Sequence, residues 1–584
     1  MSSFKLPTPH PTLSRNGFDL SSRRIFSAPA GALLPVLTQE VNPGEHFSIS
    51  VQDLVRTQPL NTAAFARCKE YYHFFFVPYR ALWSSSDRFF TGVTNGDRSY
   101  KSFNELKGDI SNLSKAPNFV PNFDLHWLVK FMKTRDTDLP NFLNTHGIDP
   151  SYNRPFKDAL GFKYDDGVYR LLNLLEFGVR SDGKFYDVKT KKYVDYNGGN
   201  DNTLFSMFRP LAYQRIYNDF YRNQQWEKSD PTCFNVDYLF KGGTVSLDVA
   251  LSAFQLRYRY WQKDWLTSAL PSVLYNEGIF HLPTYTNGFL SGTELSVEFV
   301  NSRHNVNSIP AGSVSGITTV ADIKASFALE KMLEATRRAN GLDYSSQIAA
   351  HYGFKVPESR RDCAQFIGGF DNTVGISEVI STANGTAVDP NTKASSSSVA
   401  GQMFGKGIGS MNSGKINFDV KEHGLIMCIY SIAPQVDYNA EFMNPFNRKL
   451  NRMDYFQPEF QNLGLQPILQ SDLGYTNDSK TNNSILGYTS RYSEYKTSRD
   501  VVFGEFQSGG SLSAWTTPRK TTYTFREDNT TYLSLSNFLI DPNVLSPIFS
   551  LQYDGTPKTD QFMINSYFDI KAVRPMSVVG SMNL

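Results

Sequence analysis

The pattern of apolar and polar positions along the chain predicts mostly β-strands. In Glu45–Val55, apolar residues alternate with polar ones, which is the two-residue period of a half-buried strand. Glu70–Val77 and Gly424–Ala433 are apolar at nearly every position, as expected of strands covered on both faces. Three further strand candidates are Asp500–Phe506, Thr521–Phe525 and Asp560–Ala572. Because these segments are widely separated, a sandwich or jelly roll with long inserted loops fits better than a tight meander.

Three segments instead have the spacing of amphipathic helices, with apolar residues three or four positions apart. They are Leu211–Trp226, Leu251–Trp265 and a segment that begins at the capping sequence Thr319–Asp322 and ends at Asn340-Gly341. We therefore predict an all-β dominated fold with a few helices.

Long polar tracts lie between these elements, and loops of such length are usually functional or ordered by a neighbour. We predict a single domain over residues 1–584, with an extended N-terminal arm over residues 1–40. Its predicted insertions and loops are a long polar insertion at 91–205, a second insertion at 276–318, a Gly/Ser-rich loop at 382–413 and a polar loop at 469–485.

Composition narrows the class of protein. Phe, Tyr and Trp make up 14% of the chain, and hydrophobic residues 40%, so the chain can bury enough surface to exclude disorder as its dominant state. A formal net charge of +2 argues against a surface that is basic throughout. The four scattered cysteines include no CxxC pair, which favours a reducing compartment over a disulfide framework or zinc cluster. We expect no secretory signal and no membrane insertion.

No motif calls for catalysis. Gly409–Lys415 has the GxxxxGK spacing of a phosphate loop, but Ile416 stands where a Mg²⁺-binding hydroxyl is needed, so a flexible glycine loop is the better interpretation. The nine histidines have no metal-ligand spacing, and no nucleophile motif is present. We therefore predict no enzyme activity, no catalytic residues, no metal and no cofactor.

Two kinds of segment could contact nucleic acid. Arg215–Arg222 and Tyr258–Lys263 interleave basic and aromatic residues, as single-strand binding requires, but their helical spacing favours core packing. Arg15, Arg23 and Arg24, in the predicted arm, are better candidates for contact with DNA phosphates.

Several sequence blocks, taken in order, resemble the major capsid proteins of microviruses, the small icosahedral phages with circular single-stranded DNA. The likeness is closest to gokushoviruses and their relatives from gut Bacteroidetes phages. Its most specific blocks are Tyr213–Gln224 and Thr267–Pro271. The other blocks are Phe18-Asp19, Arg23-Arg24, Gly31–Pro35, Val41–Phe47, Tyr72–Trp83, Phe366–Phe370, Gly487–Tyr495 and Phe503–Phe506.

The resemblance implies an eight-stranded antiparallel jelly roll of the viral capsid type. It implies that sixty copies assemble, through pentamers, into a T=1 shell around packaged single-stranded DNA, in the host cytoplasm, to form the virion. Because +2 per chain cannot neutralise a genome, we expect a small basic DNA-binding protein as a partner. Pilot and scaffolding-type phage proteins and a host surface receptor are the other partners that the family implies. Which insertion forms a surface protrusion stays open.

Six residues are predicted to fix loops or a neighbouring subunit: Tyr213, Arg215, Asp219, Arg222, Asn223 and Trp261. Two alternatives to a coat protein remain at this point. A β-sandwich that binds or cleaves glycans also exposes aromatic residues, although it would favour a secretion signal. A single-strand DNA-binding protein in its own right is disfavoured by the near-zero net charge.

Overall fold

The fold is built around one curled antiparallel sheet of ten strands. The computed structural model describes residues 15–62, 64–91, 120–134, 158, 160–195, 204–230, 243–273, 284–286, 289–291, 320–339, 341–380, 385–388, 395–398, 403–461, 464–519, 523–525, 531–533 and 538–578. In chain order the strands of the sheet are β1 (Asn16–Asp19), β2 (Ser22–Ala28), β3 (Leu34–Val41), β4 (His46–Thr57), β5 (Cys68–Pro78), β6 (Gln365–Ile380), β7 (Met403–Asn412), β8 (Ile416–Asp419), β9 (Gly424–Pro434) and β10 (Phe562–Arg574). Their order across the sheet is β1-β10-β4-β7-β6-β5-β9-β3, with β2 paired to β10 and β8 to β4.

Hydrophobic burial explains the strands that the sequence predicts well. Every residue of β9 is buried, and β4 buries alternate residues, including Phe47, Ile49 and Val51. β5 carries Tyr72, Phe74 and further aromatic residues into the same core. The predictions for these three strands and for β10 are therefore confirmed, and the strand-dominated fold with them.

The other elements are helices and short strands that do not belong to the ten-stranded sheet. The helices are Tyr79–Leu82, Ser86–Thr91, Leu125–Lys133, Tyr164–Leu174, Phe208–Ile216, Leu247–Ala253, Val320–Arg338, Tyr344–Tyr352, Ser479–Asn483 and Ser493–Lys496. The short strands are Pro121–Asp124, Phe185–Asp187, Lys192–Val194, Leu204–Ser206, Gly243–Thr244, Thr284–Thr286, Phe289–Ser291, Gly385–Val388, Ser395–Ser398, Tyr438–Asn439, Leu465–Leu469, Ile485–Ser490, Val501–Val502, Tyr523–Phe525 and Thr531–Leu533. Among the helices that the structure describes, none has the length and apolar composition to cross a membrane.

The expected Gly/Ser-rich loop at 382–413 is wrong over its last third, which forms β7 in the middle of the sheet. A Cβ atom at Gly405 would lie 2.2 Å from the Thr62 carbonyl oxygen, and one at Gly407 would lie 2.3 Å from Thr57 Cγ2. The glycines are there because other segments cross the strand closely. The same composition that indicated a loop therefore belongs to a strand, and Gly409–Lys415 is the end of that strand and the turn into β8.

Two of the predicted helices are shorter than expected. The helix predicted at Leu251–Trp265 ends at Ala253, and the chain then extends so that Tyr258 bridges to Ala32 and Tyr260 to Leu539. The aromatic spacing there reflects burial by distant segments rather than a helical face. Leu211–Trp226 is helical only to Tyr221, with a π-helical last turn.

Other segments differ from their predictions in the same way. In Asp500–Phe506 only Val501–Val502 is a strand, paired in parallel with Tyr438–Asn439, and within Thr521–Phe525 only Tyr523–Phe525 is described as one. Residues 469–485 contain short helical turns with buried polar side chains, including Gln470 and Asp472. The third predicted helix spans Val320–Arg338, as expected.

The two helices of the insertion at 91–205 are packed into the core, whereas its short strands Phe185–Asp187 and Lys192–Val194 are largely exposed. Leu128, Phe131 and Leu172, on its two helices, belong to the main hydrophobic cluster. Arg170 forms a buried ion pair with Asp560, with both guanidinium nitrogens bonded to the carboxylate at 2.8 and 2.9 Å. The rest of this segment, and most of 276–318, lies outside the described residues.

Candidate functional site

The predicted assembly residues lie on and beside the helix Phe208–Ile216 and its π-helical last turn. Tyr213 is buried, donates a hydrogen bond to the Leu33 carbonyl oxygen (2.9 Å) and accepts one from the Arg257 backbone N–H (2.9 Å). Burial raises the pKa of its hydroxyl. Tyr213 therefore connects three distant segments within a single subunit.

Arg215 and Asp219 fix the segment that leads into β6. Arg215 Nε lies 2.9 Å from Asp219 Oδ2, one helical turn away, and its guanidinium also donates to the Asp362 carbonyl oxygen. Asp219 Oδ2 accepts the Ala364 N–H at 2.9 Å. Both ions are thus satisfied within the chain.

Arg222 and Asn223 shape the turn that follows. Arg222 donates to the Glu227 carbonyl oxygen at 2.6 Å, and burial lowers the pKa of its guanidinium. The Asn223 carbonyl oxygen accepts the N–H groups of Trp226 and Glu227 at 3.1 and 2.8 Å. These contacts, too, are made within one subunit.

Four of the six predicted residues line one polar cavity of about 200 Å³. They are Asp219, Arg222, Asn223 and Trp261, and the cavity also reaches Asp343. Trp261 is nearly fully buried, and its backbone N–H donates to the Phe538 carbonyl oxygen at 3.0 Å. The structure therefore brings these four together around one cavity, whereas Tyr213 and Arg215 are not among its lining residues.

The three arginines predicted to touch DNA do not lie on a free arm. β1 and β2 pair with β10, so this part of residues 1–40 is built into the sheet. Arg24 is ion-paired with Glu176, whereas the exposed Arg23 donates from Nε to Asn565 Oδ1 at 2.6 Å. Arg15 is exposed just before β1. Strand pairing thus separates Arg23 from Arg24, because neighbouring residues on a strand point to opposite faces.

A cluster of exposed aromatic and aliphatic side chains was missed by sequence reasoning. This aromatic patch consists of Phe446, Leu450, Met453, Tyr455, Phe456 and Tyr495. The Tyr495 ring lies 4.9 Å from the Phe446 ring and 6.2 Å from the Phe456 ring, between centroids. Leu450 is 86% exposed. Between Pro445 and Pro458 the five apolar residues alternate irregularly with Asn, Arg, Lys and Asp, and the spacing of Phe446, Leu450 and Met453 is that of an amphipathic helix, so the sequence gives no local signal of an exposed patch.

The charge within the aromatic patch is neutralised. Lys449 Nζ lies 2.6 Å from Glu494 Oε1, and both side chains are only 8% exposed. The ammonium also lies 4.3 Å from the Tyr495 ring centroid and 4.9 Å from that of Phe446, within cation–π range.

A second exposed surface is formed by the outward side of β2, β10, β4 and β7. The strand register places three rows of side chains side by side. This surface, the basic face, consists of the rows Arg23–Tyr567–Gln52–Asn412, Ile25–Asn565–Leu54–Ser410 and Met563–Arg56–Ile408. No member of these rows is a carboxylate. The alternation of residues along β10 indicates that one side of this strand is exposed. Which residues of the other three strands lie on the same surface follows only from the strand register.

Among the described residues, no group of three or more His, Cys, Asp or Glu side chains is placed to hold a metal ion. The cysteines Cys68, Cys363 and Cys428 are free and buried. Burial raises the pKa of the Cys363 thiol to about 11, and it also raises the pKa of Cys68 and of Cys428. These thiols are therefore inert packing groups rather than nucleophiles.

The chain is similar to the capsid proteins of several phages. A family model described as capsid protein (F protein) matches residues 7–105 and 290–584. Capsid protein VP1 of Chlamydia phage 1 is 23% identical, over 98% of this chain and 96% of its own length. Capsid protein VP1 of Bdellovibrio phage phiMH2K is 21% identical over 99% and 96%, and that of Spiroplasma virus 4 is 19% identical over 98% and 96%.

These matches confirm the resemblance to microvirus major capsid proteins, and none supports the glycan-binding alternative. The family match spans more than half of the chain, on both sides of a central segment that contains the Tyr213–Gln224 block. The strand-dominated architecture agrees with it. The chain therefore belongs to the capsid protein (F protein) family of phages and serves as a component of the virion.

Proposed function

We propose that sixty copies of this protein assemble, through pentamers, into a T=1 icosahedral shell that encloses a circular single-stranded DNA genome. The protein acts by burying its own surface against neighbouring copies and has no catalytic activity. The observation that supports this assembly best is the aromatic patch.

The composition of the aromatic patch is that of a subunit contact. Soluble monomers rarely leave large contiguous apolar surfaces in water, and interface cores are enriched in aromatic residues and Met and depleted of unpaired charge. Here four aromatic rings, Leu450 and Met453 are exposed, and three of those rings lie 4.3–5.9 Å from the ammonium of Lys449, whose charge Glu494 cancels. A neighbouring subunit can therefore cover the patch without burying a net charge.

The patch is also held rigidly before any partner binds. Asp454 accepts the N–H groups of Leu450 and Asn451 at 3.0 and 2.8 Å. Arg448 forms an ion pair with the buried Asp472 at 2.8 Å. A surface fixed in this way loses little conformational entropy on association, which favours binding.

The six residues predicted for assembly act, in this proposal, inside the subunit. Tyr213, Arg215 and Asp219 hold distant segments by contacts whose partners are all in the same chain. They would support assembly by fixing the subunit's shape rather than by touching a neighbour.

Further partners follow from charge and from the family resemblance. A net charge of +2 supports a separate source of cations for the genome, which we propose is a small basic DNA-binding protein. We propose that the capsid subunit also interacts with pilot and scaffolding-type phage proteins and with a host surface receptor. Assembly takes place in the bacterial cytoplasm.

Analytical ultracentrifugation tests the assembly. The wild-type protein, purified from phage-producing cells, is expected to sediment as pentamers or as megadalton shells. The double substitution Leu450→Asp and Phe456→Ser should weaken self-association at least about a hundredfold, because central apolar anchors dominate interface energy. The expected product is a folded monomer of 66.0 kDa.

A matched control is Val188→Asp, which places the same charge at an aliphatic residue of similar exposure, 79%, outside the patch. It should assemble as the wild type does. Normal shells from the double variant would reject the patch as a subunit contact, and a wild-type protein that stays monomeric in phage-producing cells would reject the assembly itself.

A further inference from the structure

We propose that the basic face is the surface with which each subunit contacts the single-stranded DNA inside the shell. This inference rests on the proposed enclosure of such a genome and names the part of the subunit that touches it. The ligand class is a phosphodiester strand with unpaired bases.

The charge of the basic face is the first argument. Arg23 and Arg56 both point outwards and are exposed, and among the described residues no carboxylate lies within ion-pair distance of either guanidinium. Elsewhere on the same sheet the cations are matched, since Lys571 pairs with Asp19 at 2.6 Å and Lys69 with Asp371 at 3.9 Å. The arginines of the basic face lack carboxylate partners, whereas these two lysines elsewhere on the sheet have them. This difference in charge favours binding of a polyanion to the basic face.

The arrangement of the arginines is the second argument. Arg23 lies beside Tyr567, and Arg56 beside Met563, in the strand register. Arg56 lies four residues along the strand direction from the row of Arg23, which is about 13 Å, and two strands away from it, at about 4.8 Å per strand. The two guanidinium groups therefore lie at opposite edges of a strip of the sheet. A strand of DNA can therefore run between them with phosphates at both edges.

The other groups of the basic face suit bases. Tyr567 is 42% exposed and offers a ring for stacking, while Ile25 and Ile408 supply apolar surface. Gln52, Asn412 and Asn565 offer amides that both donate and accept hydrogen bonds. This mixture binds single strands with little sequence preference, as a coat protein around a whole genome requires. A protein partner with a basic surface, such as a DNA-condensing protein, would be repelled here.

The test measures binding of a fluorescent 20-nucleotide mixed-sequence DNA strand to the full-length protein at several NaCl concentrations. The double substitution Arg23→Gln and Arg56→Gln should weaken binding about tenfold at 0.1 M salt. It should also reduce the slope of log affinity against log salt by about 1.4, because each lost phosphate contact removes about 0.7. The matched control Lys189→Gln and Lys192→Gln removes two exposed cations from a different surface and should change neither value.

Tyr567→Leu separates stacking from charge. It should weaken binding of the DNA strand about fivefold or more, yet leave binding of heparin, a polyanion without bases, within twofold. Unchanged DNA affinity and salt slope in the arginine double variant would overturn the inference. So would normal DNA binding by that variant combined with a loss of self-association, which would make the basic face a subunit contact.

A different measurement, the self-association of the patch variant, tests the proposed assembly separately from DNA binding. The patch variant Leu450→Asp with Phe456→Ser should bind the DNA strand like the wild type while remaining monomeric. If it assembles normally while the arginine variant still loses DNA binding, the patch is rejected and the basic face stands.

Discussion

The aromatic patch and the basic face differ in how their charges are satisfied. In the aromatic patch, Lys449 is matched by Glu494 and enclosed by rings, so the surface is apolar and nearly neutral. On the basic face, Arg23 and Arg56 have no carboxylate partner among the described residues, and amides lie between them.

The difference separates two kinds of contact in one subunit. An apolar, neutral surface associates through the hydrophobic effect, which added salt does not screen. A surface of unmatched arginines binds by releasing counterions and weakens steeply as salt rises. Salt therefore distinguishes subunit contact from DNA contact, and the two surfaces can be altered separately if the fold beneath them holds.

The largest effect is expected at the buried ion pair that anchors the basic face. Asp560 lies two residues before β10 and pairs with Arg170, so Asp560→Ala leaves a buried guanidinium without a partner. We expect the free energy of unfolding to fall by about 3–5 kcal/mol. Urea denaturation followed by circular dichroism, at concentrations below assembly, measures it.

The control for that experiment is Lys571→Ala, which breaks an exposed pair with Asp19 on the same sheet. It should cost less than about 1 kcal/mol. Equal losses in the two variants would show that burial of the Arg170–Asp560 pair carries no special weight and that the basic face does not depend on it.

The next effect concerns pH, because two acids are buried in the sheet, Asp53 on β4 and Glu70 on β5. Glu70 is fully buried, and burial together with the nearby Asp53 raises the pKa of its carboxyl to about 9. Burial likewise raises the pKa of Asp53. Tyr72, Tyr430 and Asn372 donate hydrogen bonds to these two groups.

A carboxyl whose pKa is raised by folding stabilises the fold below its unfolded pKa, and this stabilisation is lost as pH rises through its folded pKa. Stability should therefore decline from about pH 5 to pH 9, by at most about 1.4 kcal/mol per pH unit. In Glu70→Gln the decline should be much shallower, as measured by urea denaturation at each pH. An equally steep decline in the variant would place the titrating group elsewhere.

The smallest effect sharpens the choice between adjacent arginines. Arg24 points away from the basic face and forms a partly exposed pair with Glu176. Arg24→Gln should cost about 0.2–1 kcal/mol of stability and leave the affinity for the DNA strand within twofold. Arg23→Gln, one position earlier, should lower that affinity. If Arg24→Gln lowers it equally, general charge rather than the basic face governs binding.

The sequence predicts those parts of the fold in which burial follows a local pattern. β4 and β10 alternate between buried and more exposed residues and β9 is apolar at nearly every position, so each was predicted nearly to its ends. β7 was missed because its glycines are required by close crossings at Thr57 and Thr62, which are contacts of tertiary structure.

The candidate surfaces were harder to predict, for a physical reason. The predicted residues Arg222, Asn223 and Trp261 belong to distinctive sequence blocks, and the structure brings them together around one cavity. Exposure of Leu450 and alignment of Arg23 with Tyr567 depend on which distant segments cover or pair with them. Only Arg23, among the predicted DNA-binding residues, lies on the basic face.

The position of β10 between β4 and the N-terminal strands has a consequence for synthesis on the ribosome. Tyr72 of β5 and Ser566 of β10 are hydrogen-bonded at 2.6 Å although 494 positions separate them. At ~5–20 residues per second, β4 waits roughly 25–100 s for its neighbour to be translated. During that time its unpaired edge, and those of β1 and β2, are open to pairing with other nascent chains. Protection of these edges by a chaperone, or by slow release of the chain, is thus a requirement that the topology places on the infected cell.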